Sequence, residues 1–238
     1  DEEFSLAQYV DQATTTALDI LDRRRAVVFV GGTPLYLKAM LRGIFEGPPA
    51  DWDLRHRWQA ESQQHDADWL HAKVAEIDPA SARKLHARDT RRLIRVLEVF
   101  EKTGQPMSEL QQQFDRARQA SDCRVFVLDW PREVLLRRID ERVDRMFADG
   151  LVDEVRGVLA TGRTFGRTAG QAVGYREVLE HLTGVRDLAA TIDLVKTRTR
   201  QLAKRQLTWF RSLSECTAIS MTGQGSDAVV HTMLAKAR

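Results

Sequence analysis

Cysteine is scarce in this chain. Cys123 and Cys216 are the two it has, far apart in 238 residues. They build neither a disulfide framework nor a thiolate metal site, and a reducing cytoplasm is the compartment they imply. No apolar run approaches the roughly 20 residues that a membrane span needs. Signal, transit and lipidation patterns are missing too. An excess of one charge is also lacking: 36 basic residues against 34 acidic give a net charge of +2. Bulk charge therefore does not announce a polyanion binder. His65, His71 and His86 stand at no metal-ligand spacing, and Asp51, Asp53, Asp66 and Asp68 form no recognised metal loop. The most consequential absence is the phosphate loop G-x-x-x-x-G-K-[ST], which occurs nowhere in the chain. No motif marks a general base. The chain opens with Asp1 rather than Met and runs directly into a helix, so the expectation is a fragment, a processed form or a partial gene.

What is present is ordinary core material, 43% hydrophobic and 29% charged, enough for one large domain or two small ones. Ser5-Leu6-Ala7-Gln8 fits a capping box, with Phe4 and Tyr9 placed as a staple around it. Tyr9, Ala13, Ala17, Ile20 and Leu21 then make one helix face. The continuous run 26–30 (AVVFV) predicts a parallel strand covered on both faces. It ends in Gly31-Gly32-Thr33-Pro34, a glycine turn with a helix N-cap and first-turn proline. Gly47-Pro48-Pro49-Ala50-Asp51 reads as a hinge, after which helical patterns run to Ala120, one of them from about Asp89 to Lys102 with Gly104 as its stop. The run 124–128 predicts a second buried strand. Asp129-Trp130-Pro131 leads from it into a helix with Leu135, Ile139, Val143 and Met146 inward. Gly162 to Gly174 reads as a loop, Tyr175 as a helix start, Leu188 to Arg211 as a long helix, Thr217 to Met221 as a last strand and Asp227 to Lys236 as a final helix. Three strands are few for a doubly covered parallel sheet, and its exposed edge predicts poor solubility.

Three constellations carry possible chemistry. Gly31, Gly32 and Thr33 sit where a strand ends and a helix begins, the place where open α/β sheets hold ligands and helix N-termini favour anions. Arg138, Arg142 and Arg145 form one helical stripe, and so do Arg88, Arg92 and Arg95. Lys196, Arg200 and Lys204 step by four along the long helix, which ends in Trp209 and Phe210. Arginine matches phosphate geometry bidentately, and cations beside aromatics are an RNA footprint. Each stripe reads equally as a solvated face held by local ion pairs, with Glu141, Asp149 and Asp193 the nearest acids. The residues alone leave both readings open. Trp52, Trp58 and Trp69 read as local packing.

Five segments in order, VFVGGTPLYLKAMLRGIFEGPPAD, DPASARKLHARDTRRLIRVLEVFEKTGQPMSEL, VLDWPREVLLRRIDERVDRMFADGLVDEVRGVL, QAVGYREVLEHLTG and RTRQLAKRQLTWFR, resemble the bacterial tRNA dimethylallyltransferases. The resemblance covers nearly the whole chain. It implies an α/β fold: a P-loop-kinase-like parallel sheet core, incomplete here, over 1–47 and 121–238, with an all-helical insertion over 48–120. It implies transfer of a dimethylallyl group from dimethylallyl diphosphate to N6 of adenosine 37 in tRNA, giving N6-isopentenyladenosine, with Mg²⁺ assisting. The partner implied is the tRNA anticodon stem–loop, and the protein is expected as a cytoplasmic monomer.

Carried over residue by residue, the resemblance implies that Gly31, Gly32, Thr33, Gly174 and Tyr175 line the substrate channel. Arg176, Arg138 and Arg142 would meet the diphosphate. His86, Asp89, Arg92 and Arg95 in the insertion, and Arg200, Gln201, Lys204, Arg205 and Trp209 on the long helix, would serve tRNA. The family's phosphate loop, general base and most Mg²⁺ ligands are expected upstream of Asp1, so this chain alone is expected to be inactive. Gln171 stands where some members have Arg, Pro34 stands where many have Gly, and no zinc finger follows the last helix. The alternatives are a non-catalytic tRNA-binding fragment, an adenylate isopentenyltransferase acting on free nucleotides, or a fragment of an unrelated P-loop kinase.

Overall fold

Helix α1 (Leu6–Asp22) begins at its predicted capping box: the Ser5 side chain accepts from the Gln8 N–H, and Gln8 Oε1 accepts from the Ser5 N–H at 2.7 Å. The computed structural model describes residues 4–45, 47–111 and 119–236. The chain divides into two units, Asp1–Lys38 with Ala117–Arg238, and Ala39–Arg116. The second unit overlaps the expected insertion, whose stretch 112–118 lies outside the described residues.

In the first unit, Tyr9 stacks on Tyr36 with ring centroids 3.9 Å apart, tying α1 to helix α2 (Pro34–Arg42). The run 26–30 corrects the sequence reading: it forms no strand, and Val28 and Val30 are 78% and 93% exposed. Its side chains have strand chemistry, but a strand is made by its ladder. The ladder among the described residues joins β1 (Val125–Asp129) to β2 (Cys216–Ser220) and does not include this run. These two are parallel, with Val125 opposite Cys216 and Asp129 opposite Ser220. Parallel pairing requires a long crossover, which here is helical. It consists of α8 (Arg132–Ala148), α9 (Leu151–Ala160), α10 (Arg167–Gly170), α11 (Tyr175–Leu182) and α12 (Leu188–Arg211). The predicted loop before Tyr175 thus contains the four-residue α10. Leu151, Val155 and Val178 form a core under Met146, Phe147, Phe165 and Tyr175. Helix α13 (Ser226–Lys236) closes the unit.

The second unit is helical throughout its described residues: α3 (Trp52–Ser62), α4 (Trp69–Ile77), α5 (Pro79–Lys84), α6 (Thr90–Thr103) and α7 (Met107–Leu110), after the last turn of α2. Helix α6 is its core element. Asp89 caps it by accepting from the Arg92 N–H, and Gly104 ends it at φ 69°, a left-handed conformation that glycine adopts without strain. Its Leu93, Ile94, Val96 and Leu97 pack on Leu70, Val74 and Ala82, with Trp58 and Trp69 at the margin. Asp78 is buried at a junction: it caps α5 by accepting from the Ser81 N–H and also accepts from the Ser108 N–H of α7, both at 2.9 Å. No helix among the described residues is long and apolar enough to cross a membrane.

Candidate nucleic-acid and diphosphate site

Helix α12 connects several of the candidate site residues of the first unit. On one side it is zipped to α8: Arg200 donates Nε to Asp140 Oδ1 at 2.8 Å, and Lys196 pairs with Asp144 at 2.6 Å. The hydrogen bond it donates to Asp140 is the main reason the Arg200 guanidinium is held above its ordinary pKa. On another side Arg198 pairs with Glu177 of α11, a carboxylate whose side chain is almost wholly buried. Glu177 also accepts from the Gly174 N–H at 2.7 Å. Gly174 stands at φ 105°, a conformation that L side chains rarely adopt, so the corner before Tyr175 requires glycine and is held by Glu177. Farther along α12, Gln206 Nε2 donates to the Gly32 carbonyl at 2.6 Å. A Cβ on Gly32 would stand 3.0 Å from that nitrogen, close enough that the Gln206 amide would have to shift by a few tenths of an ångström.

The Gly31–Thr33 turn and the Gly174 corner, far apart in sequence, are therefore fastened to one helix. Their contact points, Arg198 and Gln206, are eight residues apart, roughly 12 Å of helix rise. Gly31, Gly32 and Thr33 are exposed. Between and beyond the fastened positions, Gln201, Lys204, Arg205 and Trp209 are exposed. Lys204 and Arg205 carry no ion pair among the described residues. On α8, Arg138 lies over the Trp130 ring at 4.5 Å, and Arg142 is exposed without an ion pair among the described residues. Arg176 pairs with Glu180 one turn on, at 3.2 Å, and stays half exposed. The Tyr175 hydroxyl donates to Glu154; this hydrogen bond, aided by burial, raises the phenol above its usual range and keeps it protonated.

In the second unit, His86, Asp89 and Arg92 gather where α5 gives way to α6. His86 Nδ1 accepts from the Arg88 N–H at 3.1 Å, and Arg92 pairs with Asp89 at 3.4 Å while remaining exposed. Arg95 has a different environment. Together with Arg55 it grips Glu98, whose side chain is fully buried, and it donates to the Pro48 carbonyl at 2.9 Å. Glu98 also accepts from the Asp51 N–H at 2.7 Å. Burial opposes Glu98 ionisation, but the hydrogen bonds from Arg55, Asp51 and Arg95 outweigh it and lower its pKa. The network ties the hinge 48–51 to α6.

Sequence reasoning missed Asp140, Asp144, Glu177, Glu98 and Gln206. Asp140 and Asp144 had a legible signal: their four-residue step on α8 matches the step of Lys196 and Arg200 on α12. The others pair across distances that no local spacing reveals. Among the described residues no group of three His, Cys, Asp or Glu is placed to hold a metal ion.

A family model described as IPP transferase matches residues 1–213. The tRNA dimethylallyltransferase of Rhodopirellula baltica is 45% identical over 214 residues, 90% of this chain and 64% of that protein. The chain spans about two thirds of the length of the curated relatives it matches. A tRNA isopentenylpyrophosphate transferase from Bacillus halodurans superposes with a TM-score of 0.62 at 33% identity, covering 99% of this chain and 76% of that one. A eukaryotic dimethylallyltransferase acting on tRNA superposes with a TM-score of 0.70 at 25% identity, covering 98% and 61%.

Proposed function

The chain belongs to the IPP transferase family, and on that footing we propose that it forms the RNA-holding and channel part of a tRNA dimethylallyltransferase. The observation that carries this reading is α12. One helix holds the Gly32 turn and the Gly174 corner and continues as an exposed face of Gln201, Lys204, Arg205 and Trp209. The RNA backbone runs along that face, and the adenine at position 37 enters the channel lined by Gly31, Gly32, Thr33, Gly174 and Tyr175. His86, Asp89 and Arg92 hold the anticodon stem–loop from the insertion. Arg95 and Arg200, which join them toward tRNA, are each also paired with a carboxylate that fixes their helices.

The chemistry is attack of the adenine N6 amine on the allylic carbon of dimethylallyl diphosphate, with departure of the diphosphate. The N6 lone pair is delocalised into the ring, so the amine needs a base as the new bond forms. Negative charge grows on the leaving diphosphate, where fixed cations contribute most. Arg138, Arg142 and Arg176 supply them here. The adenine must leave its stack to be reached, and water must be kept from an allylic carbon that carries positive charge in the transition state. The chain acts in the cytoplasm, as a monomer.

The 238 residues include no phosphate loop. Alone, the chain is therefore expected to bind an anticodon stem–loop RNA, with salt-dependent affinity, and not to prenylate it. Anisotropy of a labelled stem–loop, with parallel incubation with radiolabelled dimethylallyl diphosphate, tests both. Failure to bind RNA ends the reading; label in the RNA ends the claim of inactivity.

A further inference from the structure

The second unit contains a cavity that none of the residues assigned above explains. It has a volume of about 170 Å³ and is lined by Ser62, Asp66, Ala67, Leu70, Ala87, Arg88 and Thr90. Three separate stretches make its wall: the end of α3 with the turn after it, the start of α4, and the loop from α5 into α6. Leu70 is buried and gives the wall an apolar part, and Ser62, Asp66, Arg88 and Thr90 add polar side chains. Two further features stand beside it in the chain. His65, next to Asp66, is stacked on Trp69 with centroids 4.4 Å apart and planes within 12°. Arg88 begins an exposed basic series continued by Arg91 and Arg92 on α6. Arg88 and Arg91 carry no ion pair among the described residues.

From these features we propose that the cavity is a pocket for one unstacked RNA base bearing an exocyclic amine. The reading rests on the RNA-binding function proposed above. A planar ring needs an apolar surface with a few polar groups at its edge, and its two flanking phosphates need cations at the rim. The cavity supplies Leu70, Ala67 and Ala87 for the ring and Arg88 for the backbone, and Arg91 and Arg92 follow its lining residue Thr90 along α6. Asp66 sets the choice of base. A carboxylate accepts hydrogen bonds and donates none, so it favours the amino edge of cytosine, adenine or guanine and disfavours uracil, whose corresponding edge presents carbonyl oxygen. A cavity that only held solvent would not need an arginine without an ion pair among the described residues, Arg88, in its wall. A pure phosphate contact would not need a recess with an acid in its wall.

The test compares two RNAs binding to the full chain: an anticodon stem–loop and a fully paired duplex of the same length. Ala87→Trp fills the cavity. It is expected to weaken stem–loop binding about tenfold, the worth of one stacked base, and to leave duplex binding unchanged. An abasic substitution at one loop position should cost the unaltered chain the same about tenfold and cost Ala87→Trp nothing further. Asp66→Asn should bring a uracil at that position up to the affinity of an amino base. If thermal melting shows that Ala87→Trp is poorly folded, Ala67→Phe, at another lining position, carries the same comparison. Stem–loop binding that ignores both plugs, or equal losses on stem–loop and duplex, overturns the pocket alone. An unaltered chain that binds no stem–loop overturns the pocket together with the function it rests on.

Discussion

Glu98 shows how far a single side chain in this protein departs from its local appearance. Its carboxylate is buried and meets two guanidiniums and a backbone N–H. Removing its charge leaves Arg55 and Arg95 facing each other without compensation. Breaking a buried pair of this kind costs about 3 kcal/mol or more, so Glu98→Gln should lower the unfolding free energy by about that amount in urea denaturation. The same group sets a pH dependence. Its pKa is lower folded than unfolded, so the stability it contributes is present above the ordinary carboxylate range and is lost as pH falls through the folded value. Asp78 shifts in the same direction: burial opposes its ionisation, but the Ser108 and Ser81 hydrogen bonds outweigh that. Acid titration followed by tryptophan fluorescence should show the transition beginning below the usual carboxylate pKa. A Glu98→Gln chain should lose part of that dependence. Arg95 was legible in the sequence as one of three arginines on a stripe, but its partners were not. Spacing places a side chain on a face; it does not say that Arg55, from a helix 43 residues away, shares the same carboxylate.

At the scale of elements, the long helix α12 was readable to its ends because caps, periodicity and length all agree, with Asp187 accepting from the Ala190 N–H at its start. Its basic face divides by partner. Lys196, Arg198 and Arg200 are engaged by Asp144, Glu177 and Asp140, whereas Lys204 and Arg205 lie beyond the reach of those acids. This division predicts two separable phenotypes. Lys204→Ala and Arg205→Ala should weaken RNA binding, each flattening the dependence of log affinity on log salt by about one, with melting unchanged. Asp140→Ala should do the reverse, lowering the melting temperature by releasing α8 from α12 while leaving the salt slope near its original value. Glu177→Gln has a third signature. It keeps the acceptor for the Gly174 N–H but removes the charge that Arg198 faces, so it should loosen the Gly174 corner, read as faster amide exchange at Gly174 and Tyr175, with little effect on the salt slope.

For the whole molecule, the informative failure of sequence reading is the run 26–30. Continuous β-branched and aromatic residues read as a buried strand, and locally the reading is sound. Burial, however, is a property of what lies alongside, and the described ladder pairs only β1 with β2. Val28, Phe29 and Val30 consequently present apolar side chains to solvent, Val30 almost completely. Exposed runs of this composition seek edges to pair with, and charge on them is the usual countermeasure. The chain, a monomer when dilute, should therefore self-associate as its concentration rises. Val28→Lys with Val30→Lys should suppress that association in sedimentation velocity. Because neither side chain is buried, melting of the double variant should stay within about 0.5 kcal/mol of the original. A clear loss of stability would show that the run is packed in solution. Unchanged association would move the sticky surface elsewhere, with α13 the next place to look, since Val230 and Leu234 are also half exposed.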